Sequence, residues 1–274
     1  MHGSGAKVSP TNRSDVERLR IAPKVGKPKS AEMYPGPGFR LRYGVARPDP
    51  EMIEGFAEFE TPEISDLMNR LHTISSQIKG LTRDDLRILG PACTVKVYPG
   101  DNLAVHKSLD IAQQGDIIVV DAGGSPMNAV LGDLISTKAR HRGVKGFVID
   151  GLIRDLPAIR ALGDFPVFAR GVTPIGPLHR GPGEVNYPIS CGGIVVQSGD
   201  IIVGDLNGVV VVPQAQAQDI LHRLRLRAEA ESDYKESVAR GEFSNAWVDT
   251  LLEDAGVQIE QAEEHSGNGA PQSD

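Results

Sequence analysis

A strand–helix–strand succession between residues 115 and 150 constrains the fold more than any other feature of the sequence. GDIIVVD at 115–121 and VKGFVID at 144–150 are short apolar runs rich in β-branched residues, as expected of buried strands. Between them, LGDLISTKARHRG ends in basic residues and Gly143, which is typical of a helix C-terminus. Such a βαβ unit places two parallel strands in one sheet with a right-handed crossover. The sequence therefore predicts an α/β fold.

Further strands and helices are predicted on both sides of this unit. Thr61 is predicted to be the N-cap of a helix over about 62–71, and GPACTVKV at 90–97 indicates another buried strand. The apolar and glycine-rich stretches between 166 and 213 predict a β-rich block. A long charged C-terminal helix is predicted to follow, from about 215 to 239.

The two ends of the chain differ from this central part in composition. Residues 1–50 are rich in Pro, Gly, Lys and Arg and lack periodicity, which predicts an extended or disordered N-terminal arm. Residues 51–262 are predicted to form the folded domain, and residues 263–274 a disordered tail. A chain of 274 residues is long enough for one substantial domain with such extensions.

Charge and apolar content exclude some classes of partner. The formal net charge of −7 argues against a nucleic-acid partner, because binding a phosphate backbone requires a basic surface. No run of eighteen apolar residues occurs and the N-terminus is polar, so we expect a cytoplasmic protein with no membrane partner. Cys93 and Cys191 each lie in a predicted strand, which favours buried thiols over a disulfide or a metal pair.

Candidate site residues follow the two strands of the βαβ unit. The loops that leave parallel strands emerge at the same edge of a sheet, where ligands tend to bind. The first strand ends near Asp121, and its loop leads to a helix that begins around Gly132 and Asp133. The second ends near Asp150 and continues into Arg154 and Asp155. Asp133, Arg154 and Asp155 are therefore predicted to converge on one edge of the sheet.

The residue types at this edge suit a small carboxylic acid and a hard cation. The first-turn N–H groups of Leu134 and Ile135 would attract an anion, and Arg154 can clamp a carboxylate. Two carboxylates, with no His or Cys in either loop, favour Mg²⁺ or Mn²⁺. A 2-oxo acid that chelates such an ion is activated for loss of a group from C3. The alternative is that Asp133 only complements a helix dipole and that Arg154 and Asp155 form a surface ion pair.

At these residues the chain resembles the RraA-like family, which includes the 4-hydroxy-4-methyl-2-oxoglutarate/4-carboxy-4-hydroxy-2-oxoadipate aldolases and the RraA regulators of ribonuclease E. The aldolase signature is an Asp, twenty intervening residues and Arg-Asp, which Asp133 and Arg154-Asp155 match. Flanking segments also resemble the family, namely PGDNL at 99–103, PVFARG at 166–171, GPGEVNYPI at 181–189 and SGDIIVGDLNGVVVVP at 198–213.

The resemblance implies a swivelling β/β/α domain that assembles as trimers or hexamers with sites at subunit interfaces. It implies that Asp155 is a direct metal ligand, that Asp133 holds the ion through water, and that Arg154 contacts the pyruvate moiety. The backbone of Leu134 and Ile135, next to Gly132, is implied to bind the substrate carboxylate. An acidic residue of a neighbouring subunit is implied to assist proton transfer. Glu229 and Glu231 lie in the right region for it, although a solvated helix face is the alternative for both.

Three functions stay open at this point. The first is a metal-dependent pyruvate aldolase with oxaloacetate decarboxylation as a side activity. The second is a non-catalytic regulator that binds a ribonuclease or another protein. The third is a 2-oxo acid enzyme whose substrate range is altered by residues 1–50.

Other polar residues are weaker candidates for the site. Asp101 and Asn102 are expected to cap the following helix or to line the site. His106, His141 and His179 lack ligand spacing, and His141 is expected to complement a helix C-terminus. Lys138 raises the possibility of a Schiff-base aldolase, but a solvated helix lysine is the commoner case.

Overall fold

The computed structural model describes residues 33–260, which contain a mixed sheet and several helices. In chain order the strands are β1 (Phe39–Leu41), β2 (Lys79–Gly80), β3 (Ile88–Val97), β4 (Ile117–Asp121), β5 (Ala129–Leu131), β6 (Gly146–Ile153), β7 (Val167–Val172), β8 (Gly183–Val185), β9 (Ile189–Cys191), β10 (Ile194–Val196), β11 (Ile201–Asp205) and β12 (Gly208–Val212). The α-helices are α1 (Pro50–Glu54), α2 (Thr61–Leu67), α3 (Leu103–Ser108), α4 (Asp133–His141), α5 (Leu156–Arg160), α6 (Ala217–Ala239) and α7 (Ala246–Asp254). Single 3₁₀ turns occupy Gly55–Glu58 and Gln214–Gln216.

Ten of the strands form one sheet with the order β1-β8-β3-β4-β6-β7-β2, to which β5, β11 and β12 add at the sides. Strands β3, β4, β6 and β7 run parallel, and Asp121 at the end of β4 lies in register with Asp150 of β6. Helix α4 connects β4 to β6, so the predicted βαβ unit is confirmed. The segment between β4 and α4 was predicted as a loop, but it contains β5, which pairs with the end of β6.

Apolar side chains cover the sheet on both sides. Helices α3, α4 and α5 pack on one side, called here the helix face, through Val105, Ile135 and Ile159. The opposite face packs against β9, β10, β11 and β12. Cys93 lies on the helix face and Cys191 on the opposite face, and both are buried and free, as predicted. Burial raises the pKa of the Cys93 thiol to about 12.

The helix predicted over 62–71 differs from the structure at both ends. Its N-cap is Glu60, which forms a reciprocal capping box with Glu63, so the assignment of Thr61 as N-cap is wrong. The Thr61 hydroxyl instead donates to Asp205 Oδ1 at 2.7 Å. The helix ends at Leu67 because Asn69 and the residue after it adopt positive φ angles, which no helix accommodates.

The segment predicted as an N-terminal arm joins the sheet over part of its length. Residues 1–32 and the predicted tail 263–274 lie outside the described residues. Within residues 33–50, β1 pairs in parallel with β8, and Arg40 binds Glu184 across this pair. The pair formed by Arg47 and Asp116 is almost completely buried. This part is therefore ordered and includes an extended strand, so of the two states that the sequence left open it has the extended one.

The predicted C-terminal helix is present as α6 and begins two residues later than expected. Its first turns are buried through Ile220 and Leu224, which pack against β11 and β12. None of the helices within residues 33–260 has both the length and the apolar content that crossing a bilayer requires.

Candidate active site

The predicted site residues lie together at the ends of β5 and β6. Helix α4 starts immediately after β5, and α5 starts immediately after Asp155. One cavity of about 230 Å³ is lined by all six of the residues predicted from the sequence: Gly132, Asp133, Leu134, Ile135, Arg154 and Asp155. Five further residues also line this cavity: Asn102, His106, Leu131, Pro177 and His179. The sequence predicts Asn102 only as an alternative site residue and does not assign the other four to the site.

Gly132 and Asp155 approach each other so closely that a larger residue at position 132 would displace the Asp155 carboxylate. A Cβ atom on Gly132 would overlap Asp155 Oδ2 and would lie 3.0 Å from Arg154 Cγ. Asp155 has φ 57° and ψ 32°, the left-handed conformation that costs a non-glycine residue about 1–3 kcal/mol. This conformation turns its carboxylate back over the start of α4. The glycine is therefore required by the position of the Asp155 side chain.

Arg154 lies at the open side of the cavity. Its Nε is 3.2 Å from Asp155 Oδ2, and both side chains are about 40% exposed, at 43% and 39%. The backbone N–H of Arg154 donates to Leu131 O, which fixes this residue beside β5. A Cβ on Gly176 would lie 2.6 Å from Arg154 Nη1, so the guanidinium passes directly over that glycine. The side chain is held along its length, yet part of it remains available to a ligand.

The start of α4 is partly occupied by its own first side chain. Leu134 N–H donates to Asp133 Oδ1 at 2.7 Å, so one of the N–H groups expected to bind a substrate carboxylate already has an acceptor. Among residues 33–260, Asp133 forms no ion pair. Any anion that binds to Leu134 N–H therefore has to displace the Asp133 carboxylate.

The wall opposite Asp155 is formed by two histidines. Residues 100–102 and the segment around Leu178 run side by side, with Asn102 N–H donating to Leu178 O at 3.0 Å. This pairing brings His179 Nδ1 to 2.6 Å from Asn102 Oδ1. Because Asn102 Nδ2 donates to Val130 O, its Oδ1 must accept, and His179 Nδ1 must carry the proton. In neutral His179 the Nε2 atom is therefore a free proton acceptor.

His106 lies on α3 next to His179, with the two ring centroids 5.3 Å apart in an edge-to-face arrangement. Burial lowers the pKa of His106, and the nearby charges of His179 and Lys138 lower it further. The His106 ring is therefore neutral near pH 7. The sequence pattern missed this pair because its members are 73 positions apart.

Other residues considered from the sequence lie elsewhere. Asn102 is the N-cap residue of α3 without a side-chain capping bond, and it lines the cavity, whereas Asp101 Oδ1 accepts from Leu103 N–H at 2.8 Å just before the helix. Lys138 is exposed on α4, and His141 ends that helix. Glu229 is exposed on α6, and Glu231 accepts from Arg227 Nε at 2.6 Å. Neither glutamate is among the residues that line this cavity of its own chain.

A second set of charged residues crosses the opposite face of the sheet, and we call it the paired row. It runs over six strands and comprises Arg40, Glu184, Lys96, Asp121, Asp150 and Arg170. The first five are in register, and Arg170 binds Asp150 beside an irregularity in the β6–β7 pairing. Lys96 Nζ lies 3.3 Å from Asp121 Oδ2. The Asp150 carboxylate accepts from Arg170 and from Gly192 N–H. Each charge in this row has a partner of opposite sign or a backbone donor.

Comparison with known proteins identifies the family. The RraA-like (Aldolase/RraA) family model matches residues 61–211. A protein of Halalkalibacterium halodurans named "Putative 4-hydroxy-4-methyl-2-oxoglutarate aldolase" is 42% identical over 186 residues, covering 68% of this chain and 87% of the relative. The chain belongs to the RraA-like family.

Solved structures of RraA proteins have the same fold. RraAS2 of Streptomyces coelicolor, described as an unusual member of the RNase ES inhibitor RraA protein family, aligns with a TM-score of 0.64 and 29% identity, covering 70% of this chain and 99% of that one. The RNA-processing inhibitor RraA from Thermus thermophilis aligns with a TM-score of 0.52 and 29% identity, covering 57% and 93%. The fold class predicted from the sequence, the RraA-like α/β domain, is therefore confirmed.

The donor set of this RraA-like cavity is compatible with the expected cation. Within residues 33–260, no three His, Cys, Asp or Glu side chains converge as a ready-made metal cage. The cavity offers the carboxylates of Asp133 and Asp155 and no thiolate, and the imidazoles of His106 and His179 do not converge with these carboxylates on one point. Mg²⁺ is commonly held by one or two carboxylates and keeps several waters, whereas structural zinc requires four protein ligands. The residues present therefore fit Mg²⁺ or the similar Mn²⁺.

Proposed function

We propose that this chain is a divalent-metal-dependent aldolase that cleaves a 4-hydroxy-2-oxo carboxylic acid to pyruvate and a second carbonyl compound, with oxaloacetate decarboxylation as a side activity. The observation that carries the proposal is the convergence of Asp133, Arg154 and Asp155 on one cavity at the ends of β5 and β6. The aldolase name given to the 42% identical relative supports the same reaction class.

Different residues of the cavity bind the carboxylate, the 2-oxo group and the cation at the pyruvate half of the substrate. Arg154 binds the substrate through its exposed guanidinium, and the first turn of α4 accepts the carboxylate at Leu134 and Ile135. Asp155 holds the cation directly and Asp133 through water. A bound Mg²⁺ or Mn²⁺ would polarise the 2-oxo group as a Lewis acid. Gly132 leaves the space in which Asp155 lies against α4.

The remaining requirement is a base for the hydroxyl on C4. Retro-aldol cleavage removes this proton and breaks the C3–C4 bond. The electron pair passes to C3 of the pyruvate enolate, C4 becomes a carbonyl carbon, and C3 then takes up a proton. His179 Nε2 is the acceptor that the geometry supplies, because the bond to Asn102 holds the proton on Nδ1.

Pyruvate release from 4-hydroxy-4-methyl-2-oxoglutarate and from oxaloacetate, with added Mg²⁺ or with EDTA, tests the proposal. We expect EDTA, Arg154→Ala and Asp155→Ala each to lower kcat/KM by at least about 100-fold, because each removes stabilisation of developing charge. Arg83→Ala, which removes one half of an exposed ion pair with Asp85, is the matched control and should retain activity. Activity indifferent to EDTA and to both site variants would contradict the proposal.

The proton acceptor is tested separately. His179→Gln should lower kcat by about 100-fold or more, since a positioned acid–base group contributes that much. Glu231→Gln is the comparison, because the family resemblance implies an acidic residue from a neighbouring subunit. A large effect of Glu231→Gln with none of His179→Gln would assign the proton transfer to the neighbour. Sedimentation velocity tests the trimer or hexamer that such a contribution requires.

A second candidate function is a regulator that binds a protein partner. RraAS2 is described as a member of the RNase ES inhibitor RraA protein family, and the Thermus RraA as an RNA-processing inhibitor. The structural likeness of this chain to both proteins favours the regulator. A ribonuclease E inhibition assay and a turnover screen on 2-oxo acids distinguish the two. Inhibition without any pyruvate release would replace the aldolase proposal with the regulator.

A further inference from the structure

A second cavity of about 460 Å³ adjoins the candidate active site, and we call it the β1 groove. One wall is α3, where Leu103, His106 and Lys107 lie at i, i+3 and i+4 and therefore on one side of the helix. The other wall is β1, where Phe39 and Leu41 lie two residues apart and point to the same face. His106 lines both the groove and the active-site cavity. The two spaces therefore meet at this imidazole.

The groove is apolar where it is widest. Phe39 and Leu41 are 42% exposed and Leu103 is 43% exposed, so three large apolar side chains from two elements face the same open space. Exposed apolar surface clustered in this way marks a binding site more often than scattered residues do. Lys107 Nζ lies 3.1 Å from Asp110 Oδ2, and both residues line the groove. The carboxylate of Asp110 therefore competes with a substrate carboxylate for this cation.

From this arrangement, and resting on the proposed aldolase function, we infer that the β1 groove binds the substituent on C4 of the substrate and selects an alkyl or aryl group over a carboxylate. Pyruvate is the product of the cavity at Asp155, and the second carbonyl compound leaves through the groove. His106, which lines both spaces, places the groove next to the pyruvate cavity, and the C4 substituent is the part of the substrate that extends beyond the pyruvate half. The preferred second product is an aromatic or branched aliphatic aldehyde or ketone.

Three substrates test the inference in the full chain with Mg²⁺, using pyruvate release: 4-hydroxy-2-oxopentanoate, 4-hydroxy-4-phenyl-2-oxobutanoate and 4-hydroxy-4-methyl-2-oxoglutarate. They place a methyl group, a phenyl group, or a methyl group with a carboxylate on C4. Cleavage of the oxoglutarate yields two pyruvates, so its rate of pyruvate release is halved before kcat/KM values are compared. We expect kcat/KM for the phenyl substrate to exceed that for the oxoglutarate by at least about tenfold, the discrimination that burial of apolar groups provides. Phe39→Ser and Leu103→Ser should each reduce this ratio several-fold.

A positive charge introduced into the groove should change the substrate preference in a known direction. Leu103→Arg should shift the preference towards the oxoglutarate, since the groove then contains an unpaired cation. Leu206→Ser is the matched control, because Leu206 is 73% exposed in the turn between β11 and β12 and should leave the ratio unchanged.

The possible failures are distinguishable. Absence of pyruvate from all three substrates and from oxaloacetate would overturn the aldolase proposal itself. Pyruvate release with a preference for the oxoglutarate, or a ratio unaffected by both serine variants, would overturn the groove assignment alone. If Phe39→Ser and Leu103→Ser instead change the sedimentation coefficient while the ratio stays constant, the groove is a contact between subunits and the inference is wrong.

Discussion

At the ends of β4 and β6, the opposite face of the sheet carries Asp121 and Asp150, whereas the active-site cavity carries Asp133 and Asp155. Asp121 is paired with Lys96, and Asp150 is bound by Arg170 and by Gly192 N–H. In the cavity, Asp133 has only a backbone donor, and Asp155 adopts the left-handed conformation beside a half-exposed Arg154. The carboxylates on the opposite face are therefore buried and paired, whereas Asp155 at the cavity is partly exposed and has a left-handed backbone conformation.

This difference distinguishes charges that hold the sheet together from charges that remain available for a ligand. A buried carboxylate that is fully paired stabilises only its own arrangement, and removal of either partner leaves an uncompensated charge. A carboxylate held in strained backbone with spare lone pairs is typical of a functional site. We therefore expect substitutions in the two groups to affect different measurable quantities.

The largest expected effect is on pyruvate release, when one carboxylate in each group is replaced by an amide. Asp155→Asn should reduce pyruvate release at least about 100-fold, because the amide is a poor replacement for an anionic ligand, while the unfolding midpoint stays the same or rises. Asp150→Asn should retain kcat in the folded protein. Urea unfolding and steady-state kinetics on both variants measure the two effects, and a catalytic defect of equal size in Asp150→Asn would break the distinction.

The stability cost of Asp150→Asn is the next largest effect. Hydrogen bonds to a charged group contribute about 1.5–3 kcal/mol, and the variant weakens those from Arg170 and Gly192. We expect a loss of about 2 kcal/mol in the free energy of unfolding. Asp85→Asn, in an exposed pair, provides the control and should cost much less. Equal costs for the two variants would show that the paired row is no stronger than a surface ion pair.

The buried thiol of Cys93 gives a smaller effect that appears at alkaline pH. Its pKa is raised from 9.0 to about 12, so the folded state keeps the proton while the unfolded state loses it above pH 9. The contribution of the Cys93 thiol to the free energy of unfolding is therefore complete below pH 9 and falls by about 1.4 kcal/mol per pH unit between the two pKa values. The difference in stability between wild type and Cys93→Ala should thus be about 1.4 kcal/mol smaller at pH 10 than at pH 8. A pH-independent difference in urea unfolding would contradict this.

The smallest effect concerns the outer end of the paired row. The hydrogen bond from Arg40 lowers the pKa of Glu184 below its ordinary value of 4.5. The contribution of this pair is therefore complete above pH 4.5 and is lost as the pH falls through the lowered pKa. Glu184→Gln should accelerate hydrogen exchange of Arg42 N–H, which donates to Val185 O, at pH 7, and the acceleration should shrink as the pH falls through the lowered pKa of Glu184. Unchanged exchange at pH 7 would show that β1 does not depend on this pair.

The sequence predicted those parts of the fold that depend on local pattern. The strands flanking α4 have continuous apolar runs, and the edge that Asp133 and Asp155 share follows from parallel topology. Strand β5 was missed because its three residues lie within a glycine-rich, polar stretch and are defined by pairing with β6. His179 was missed because its position depends on the long-range pairing of Asp101 with Leu178. Local sequence carries no signal of either contact.

The early part of the chain could not be decided from composition for the same reason. Strand β1 has only three residues, and its ordering depends on a partner strand about 144 positions away and on the bond between Arg40 and Glu184. Pro, Gly and basic residues around it resemble a flexible linker in composition. Composition therefore left an extended and a disordered state open for a segment that tertiary contacts decide.

The position of β1 in the chain has an evolutionary consequence. The family match begins at residue 61, so Phe39 and Leu41 lie outside the part of the chain by which membership is recognised. The residues proposed to handle pyruvate lie inside it. Relatives can therefore inherit the same reaction together with different preceding segments, and new substrates can arise by exchange of a few residues at an edge strand while the reacting centre stays unchanged.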